Sequence, residues 1–381
     1  LAPAPEHRRE EATEMNALQR LHAEFDQSPW IDFIDRQLIE SGRLRELVGD
    51  GIRGLTSNPT IFGKAVATGQ YDELIRREIE AGDDSLGIYE EIAVSDVSDA
   101  ADVLRTVYDE ADGADGFVSI EVEPELSDDT AATLERARHL WQRVGRPNAF
   151  VKIPATPAGL PAIEDAIAEG ININITLMFS VDVYREVARA YIAGLRRRLE
   201  RGEDVKRVAS VASFFVSRVD TKVDKQLDEI GTDAALALRG QAAIANAKLA
   251  YEAFGEIFGG DEFADLRAAG ARVQRCLWAS TSTKNPDYRD VLYVEELIGP
   301  ATVNTMPTDT IEALLDHGTL ERTLDQDVAA AHRTLRLLEE QGISMRTVTD
   351  ELIDEGVAAF GKSFDDLIAA IDSQRKALAP A

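Results

Sequence analysis

The chain has 381 residues, with 41 lysines and arginines against 69 aspartates and glutamates, so its formal charge is −28. That balance argues against a phosphate-tracking nucleic-acid surface, which needs clustered cations, and any anionic ligand must be held by a few local cations against the overall field. A hydrophobic content of 44% can bury a sizeable core. The lone Cys276 cannot form an internal disulfide, no zinc-type Cys/His spacing occurs, and the apolar runs are too short to span a bilayer. A cytoplasmic protein with no metal, nucleic-acid or membrane partner is expected.

Residues 1–14 (LAPAPEHRREEATE) lack the apolar stretch of a secretion signal and read as a disordered extension ahead of Met15. Beyond it, short β-branched runs alternate with longer segments of helical spacing. Strands are expected at 30–34, 51–56, 116–122, 149–153, 171–176, 207–214, 273–279 and 301–306. Helices fill the gaps at 36–48, 72–111, 129–144, 159–169, 181–200, 219–269 and 290–297, with three or four more from 310 onward. Eight strands alternating with helices predict an α/β fold, a parallel (β/α)8 barrel over 15–381 with additional C-terminal helices, rather than an open doubly wound sheet. The glycines form neither a GxGxxG nor a P-loop pattern.

In such a barrel the chemistry gathers at the C-terminal ends of the strands. There the sequence is polar: Asp32 closes the first run, Thr56 and Asn58 the second, Glu121 the third, Lys152 the fourth, and Asn172, Asn174 and Thr176 the fifth. Strand parity sharpens the pattern, because alternate side chains face opposite ways. In ININIT the three isoleucines share one face and Asn172, Asn174 and Thr176 the other, so this strand lines something polar. Ser119 with Glu121, and Phe150 with Lys152, face inward by the same rule.

A lysine ending an apolar strand loses hydration, which favours the free amine that a Schiff-base nucleophile needs. Its alternatives are a lysine that snorkels to the rim or pairs with Glu121 or Asp32. Asp32 and Glu121 are the candidate acid/base pair. Against that, Asp32 could cap the helix near Arg36, although Asp35 is closer, and Glu121 could simply be the charge partner of Lys152. Asn58 precedes Pro59 and suits a turn. Ser213 and Phe215 share parity on the sixth strand, and Arg218 follows as either a phosphate ligand or a surface ion-pair partner. The seventh strand runs into Ser280, Thr281, Ser282, Thr283 and Lys284, a loop suited to an anionic group or merely polar. No histidine stands where a catalytic base is wanted.

Nine stretches in order carry a family likeness: SPWIDFIDR, GLTSNPTIF, VSIEVEPELS, VKIPAT, GININITLMFS, SFFVSRVD, LWASTSTKNP, TVNTMP and EGVAAFGKSFDDLIAAI. Together they resemble the transaldolase family in its longer bacterial form. The resemblance implies a class I aldolase barrel without metal or organic cofactor, in which Lys152 forms a Schiff base with a ketose phosphate. It implies Asp32 as the proton-transfer residue for carbon–carbon cleavage, and Glu121 with Thr176 as holders of the water used in carbinolamine formation and breakdown. Asn58, Asn174 and Ser213 would bind hydroxyls of the dihydroxyacetone unit, Phe215 would wall the pocket, and Arg218 with Ser280 would take the phosphate.

The implied reaction, a step of the non-oxidative pentose phosphate pathway, transfers dihydroxyacetone from sedoheptulose 7-phosphate to glyceraldehyde 3-phosphate, yielding erythrose 4-phosphate and fructose 6-phosphate. Shorter members of the family have an arginine two residues after the serine equivalent to Ser280. Here Ser282 stands at that spacing, and the second phosphate cation is assigned to Lys284. Two rival readings are a fructose 6-phosphate aldolase-like enzyme, which typically has glutamine in place of Glu121 and tyrosine in place of Phe215, and a catalytically silent binding barrel. Inward polar groups are costly to keep and argue against the latter. Monomer and homodimer are equally open, and the roles of 219–269 and the C-terminal helices are not legible.

Overall fold

The computed structural model describes residues 15–379, so the extension expected over 1–14 lies outside the described residues. Seven parallel strands form one sheet: β1 (Gln27–Ile31), β2 (Val118–Glu121), β3 (Ala149–Pro154), β4 (Ile173–Met178), β5 (Ser210–Phe215), β6 (Arg275–Ala279) and β7 (Thr302–Met306). Their order is β1-β7-β6-β5-β4-β3-β2, which leaves β1 and β2 at the two ends. Leu55 closes the gap by bridging in parallel to Ile31 of β1 and Val118 of β2. Its amide donates to Phe117 O at 2.9 Å, and the amide of Thr56 donates to Ile31 O at 2.9 Å. The ring is a (β/α)8 barrel with additional helices, as the alternation predicts.

The second strand, expected over 51–56, is the shortest: its backbone hydrogen bonds to the two neighbours run over 53–56, and only Leu55 bridges to both. Gly54 explains the local path, since a Cβ there would stand 2.3 Å from the Trp30 indole, so the backbone passes directly against the ring. Three residues after Leu55 the chain already turns into the helix Pro59–Ala67, capped by the Asn58 side chain. Other boundaries move by a few residues. The first strand ends at Ile31, so Asp32 follows it, the fifth continues to Met178, and the sixth begins at Ser210 rather than at 207.

The helices obey the expected caps. Asp129 accepts from the Ala132 amide to open Thr130–Val144, and Gly145, with φ +59°, closes it. The segment 219–269 resolves into Ser217–Ile230, Asp233–Leu236, Ala242–Gly259 and Ala264–Ala268. Beyond β7 lie Thr308–His317, Val328–Glu340 and the 34-residue helix Met345–Leu378. Two helices escaped the sequence reading, Ala17–Phe25 and Pro59–Ala67.

The long C-terminal helix does most to shape the site. It packs along Pro59–Ala67 and crosses the C-terminal ends of the strands. Phe364 meets Tyr89 edge to face at 5.2 Å, and Leu367 is buried beside it. A register shift at the end of β4, with Leu177 at φ +58°, directs Leu177 against Gly356, where a Cβ would come within 3.1 Å of it. At the opposite end of the barrel the floor is sealed by Phe150 stacked on Phe117 at 4.2 Å and by Asp115. The Asp115 carboxylate accepts from Arg53 at 2.9 Å and from Ser28 and Trp30.

Candidate active site

Strand parity delivers Lys152 to the interior of the barrel mouth. Its side chain is 7% exposed, and Nζ stands 3.0 Å from the Ser57 carbonyl oxygen and 3.3 Å from Glu121 Oε2. The cross-strand register puts Glu121 directly beside Lys152, and Lys152 beside Asn174. Burial pushes the Glu121 carboxyl above its usual range, with the charge and hydrogen bond of Lys152 pulling the other way. The ion pair of Lys152 with Glu121 is present, and the amine also lines a cavity of about 440 Å³.

Asp32 lies on the same cavity wall. It does not cap the following helix; Asp35 does, accepting from the Leu38 amide at 2.7 Å. Instead the Thr56 hydroxyl donates to Asp32 Oδ1 at 2.7 Å and sits 2.8 Å from the Thr305 hydroxyl. Desolvation raises the Asp32 carboxyl, opposed by the Thr56 bond and by the Lys152 and Lys284 charges. A carboxyl raised in this way, at a mouth that also holds an amine, is suited to taking and returning protons.

Thr176 lines the cavity, and its buried hydroxyl has no partner among the described residues. Ser213 and Phe215 of β5 also line it. Asn58 does so while its carboxamide oxygen caps Pro59–Ala67 through the Ile61 amide at 3.2 Å. Asn174 is set back from the wall: fully buried, it donates to Ser119 Oγ at 3.1 Å and accepts from Ser213 Oγ at 2.6 Å. Glu121 also stands behind the wall and is reached through Lys152.

Arg218 lines the cavity with its guanidinium 5.3 Å from the Phe215 ring centroid and no carboxylate partner among the described residues. Burial alone lowers its pKa from the ordinary arginine value. The surface ion-pair reading fails for it. Across the loop after β6, Ser280 adopts φ +57° and its hydroxyl lies 3.0 Å from that of Ser217, while exposed Lys284 donates to Ser282 at 2.7 Å. Both residues line the cavity.

The sequence reading missed residues of two kinds. Thr305 braces Thr56, which holds Asp32, and the Ser57 carbonyl holds Lys152; the polar run TVNTMP carries a signal for Thr305, but a main-chain oxygen leaves none. Lys64, Phe360 and Ser363 come from helix faces that only packing brings to the mouth. Phe360 places its ring centroid 5.7 Å from Lys152 Nζ. Among the described residues, no helix is long and apolar enough to cross a membrane.

The chain matches known proteins over nearly its whole length. The transaldolase/fructose-6-phosphate aldolase family matches residues 29–371. The chain is 45% identical over 370 residues to transaldolase 2 of a Nostoc species, covering 94% of this chain and 97% of that one. It is 48% identical over 350 residues to the transaldolase of Mycolicibacterium smegmatis, covering 91% and 94%. Against transaldolase 1 of Streptomyces coelicolor it is 49% identical over 358 residues, covering 93% and 94%. A barrel with a buried lysine and two raised carboxyls at its mouth, matched over nearly its whole length, belongs to the transaldolase/fructose-6-phosphate aldolase family.

Proposed function

We infer that the chain is a transaldolase acting on sugar phosphates through Lys152. The observation that carries this reading is the Lys152 amine at the base of the cavity, beside Glu121, with Asp32 on the same wall. The amine attacks the carbonyl carbon of sedoheptulose 7-phosphate, and loss of water gives the iminium. Asp32 takes the proton of the hydroxyl next to the scissile bond, the carbon–carbon bond breaks, and erythrose 4-phosphate leaves. The dihydroxyacetone unit stays on Lys152 as an enamine. It then attacks the aldehyde carbon of glyceraldehyde 3-phosphate, Asp32 returns the proton, and water releases fructose 6-phosphate.

Glu121 and Thr176 share the water that enters and leaves at the carbinolamine, which suits a raised carboxyl and an otherwise unpartnered hydroxyl. Ser213 and Asn58 meet the hydroxyls of the donor, and Asn174 acts by fixing Ser213. Arg218, Ser280 and Lys284 receive the phosphate; Arg218, lacking a carboxylate of its own, is the cation freest to do so in an acidic protein. The alternative within the family, release of free dihydroxyacetone, is disfavoured because Glu121 and Phe215 stand where such enzymes typically carry glutamine and tyrosine.

Borohydride reduction in the presence of fructose 6-phosphate, followed by peptide mapping, tests nucleophile and substrate class together. The expected result is a reduced dihydroxyacetone adduct on the peptide containing Lys152, lost when erythrose 4-phosphate is supplied first. An adduct on another lysine, or none, overturns the reading.

A further inference from the structure

We propose that Phe360, on the helix Met345–Leu378, is a positioning residue that sets whether the enamine on Lys152 passes to an acceptor aldehyde or is released as free dihydroxyacetone. The proposal rests on the Schiff-base reading of Lys152. Nζ has polar neighbours on the barrel side, the Ser57 carbonyl and Glu121. On the helix side it meets the Phe360 ring, whose centroid is 5.7 Å away. The same ring lines the main cavity and, with Leu177 and Val357, a narrow apolar cleft against Glu121. One side chain therefore covers both the reacting nitrogen and the carboxyl that serves its water.

The ring is held in place by the packing of its own helix. Gly356 accepts Leu177 one turn before it, Ser363 meets the Thr60 hydroxyl at 3.1 Å, and Phe364 is wedged against Tyr89. Transfer and release share the enamine and differ in one event. For transfer, the enamine carbon forms its bond to the aldehyde carbon. For release, that carbon takes a proton instead; water then adds to the iminium carbon, the C–N bond breaks, and dihydroxyacetone departs from the regenerated amine. Both routes end with one water adding to an iminium, so the partition is decided earlier, by whether the aldehyde or a proton drawn from solvent reaches the enamine carbon beside Lys152. An aromatic face offers water no hydrogen bond, and a wall of this kind favours the acceptor over solvent.

The test uses the full chain with fructose 6-phosphate as donor, and measures free dihydroxyacetone against transfer to erythrose 4-phosphate. Phe360→Ala should raise the release-to-transfer ratio by about tenfold or more, one order in the partition of a common intermediate, with KM for the donor changed much less than kcat for transfer. Phe360→Gln and Phe360→Met have similar shape and differ in polarity, so Gln should raise the ratio and Met should hold it near wild type; this pair decides the matter should the alanine variant not fold. An unchanged ratio in Ala and Gln, or equal rises in Gln and Met, overturns the proposal. A wild-type enzyme that is not trapped at Lys152 overturns the Schiff-base reading itself, and the proposal with it.

Discussion

The two ends of the barrel bury the same kinds of group and treat them in opposite ways. At the floor, Asp115 is enclosed, and although burial pushes its carboxyl up, Arg275 and Arg53, with the Ser28 hydrogen bond, bring it below the usual carboxylate range. At the mouth, Asp32 and Glu121 are also desolvated, but each faces too little opposing charge, and both are raised. The floor has more cations than its carboxylate needs. At the mouth, the Thr176 hydroxyl and the Arg218 guanidinium have no hydrogen bond or ion pair among the described residues. Satisfied charges make a fixed floor, and unsatisfied ones keep proton transfer within reach.

Substitutions at the two ends should separate activity from stability. Lys152→Ala should give the largest effect: turnover should fall by more than the 10²- to 10⁴-fold typical of acid–base loss, because the covalent route disappears, while urea unfolding shows no comparable loss. Glu121→Gln should lower kcat by roughly 10²- to 10⁴-fold; an unchanged kcat would remove Glu121 from the water-handling role. Arg218→Ala should raise KM for phosphorylated donors strongly and Lys284→Ala less, since a guanidinium engages phosphate bidentately and an ammonium acts as a point charge. Neither should affect an unphosphorylated ketose by a comparable factor.

At the floor, Asp115→Asn should cost about 3 kcal/mol in urea unfolding, the lower end for breaking a buried pair, because Arg53 and Arg275 keep some exposure. Its kcat should stay at the wild-type value. The pH dependence should also split. Asp115 has a folded pKa below its unfolded one, so its stabilisation is complete above about pH 4 and fades as pH falls through the folded value. Asp32 and Glu121 bind protons more tightly when folded, so stability falls as pH rises from about 4 through their raised values. Comparing wild type with Asp32→Asn across pH should show a smaller fall in the variant, where only Glu121 contributes. The smallest effect belongs to Thr56→Val. Losing the hydrogen bond that stabilises the Asp32 carboxylate should move the acidic limb of the kcat profile upward by up to about one unit.

Much of the mouth was legible because a strand's period of two is strict. Once 171–176 was read as a strand, Asn172, Asn174 and Thr176 had to share a face, and Glu121 and Lys152 followed on their own strands. The same rule cannot rank depth along a face, so it did not separate Asn174, which braces Ser213, from Thr176, which meets the cavity. The strand expected at 51–56 is present but shorter, its hydrogen bonds starting at Arg53, because apolar residues between glycines look alike whether they begin a ladder or lead into it. Pro59–Ala67 was lost because Asn-Pro reads equally as a turn and as a cap followed by a first-turn proline. Phe360 lies 208 residues beyond Lys152 on an ordinary amphipathic helix, and nothing local to it distinguishes a core position from a lid over the lysine.

The lone bridging residue at Leu55 has a consequence for local opening. Around most of the ring the strands pair over three to five residues; between β1 and β2 the closure is a short segment, 53–56, that bridges through Leu55 and makes three backbone hydrogen bonds to each side. Short pairings of this kind open more readily than long ones, and their amides should exchange with solvent deuterium ahead of those in β3 to β6. The same few residues continue into Thr56, which orients Asp32, Ser57, whose carbonyl holds Lys152, and Asn58 on the cavity wall. An excursion confined to this seam would detach Asp32 and Lys152 from their anchors together, and so silence the enzyme while the rest of the barrel stays folded.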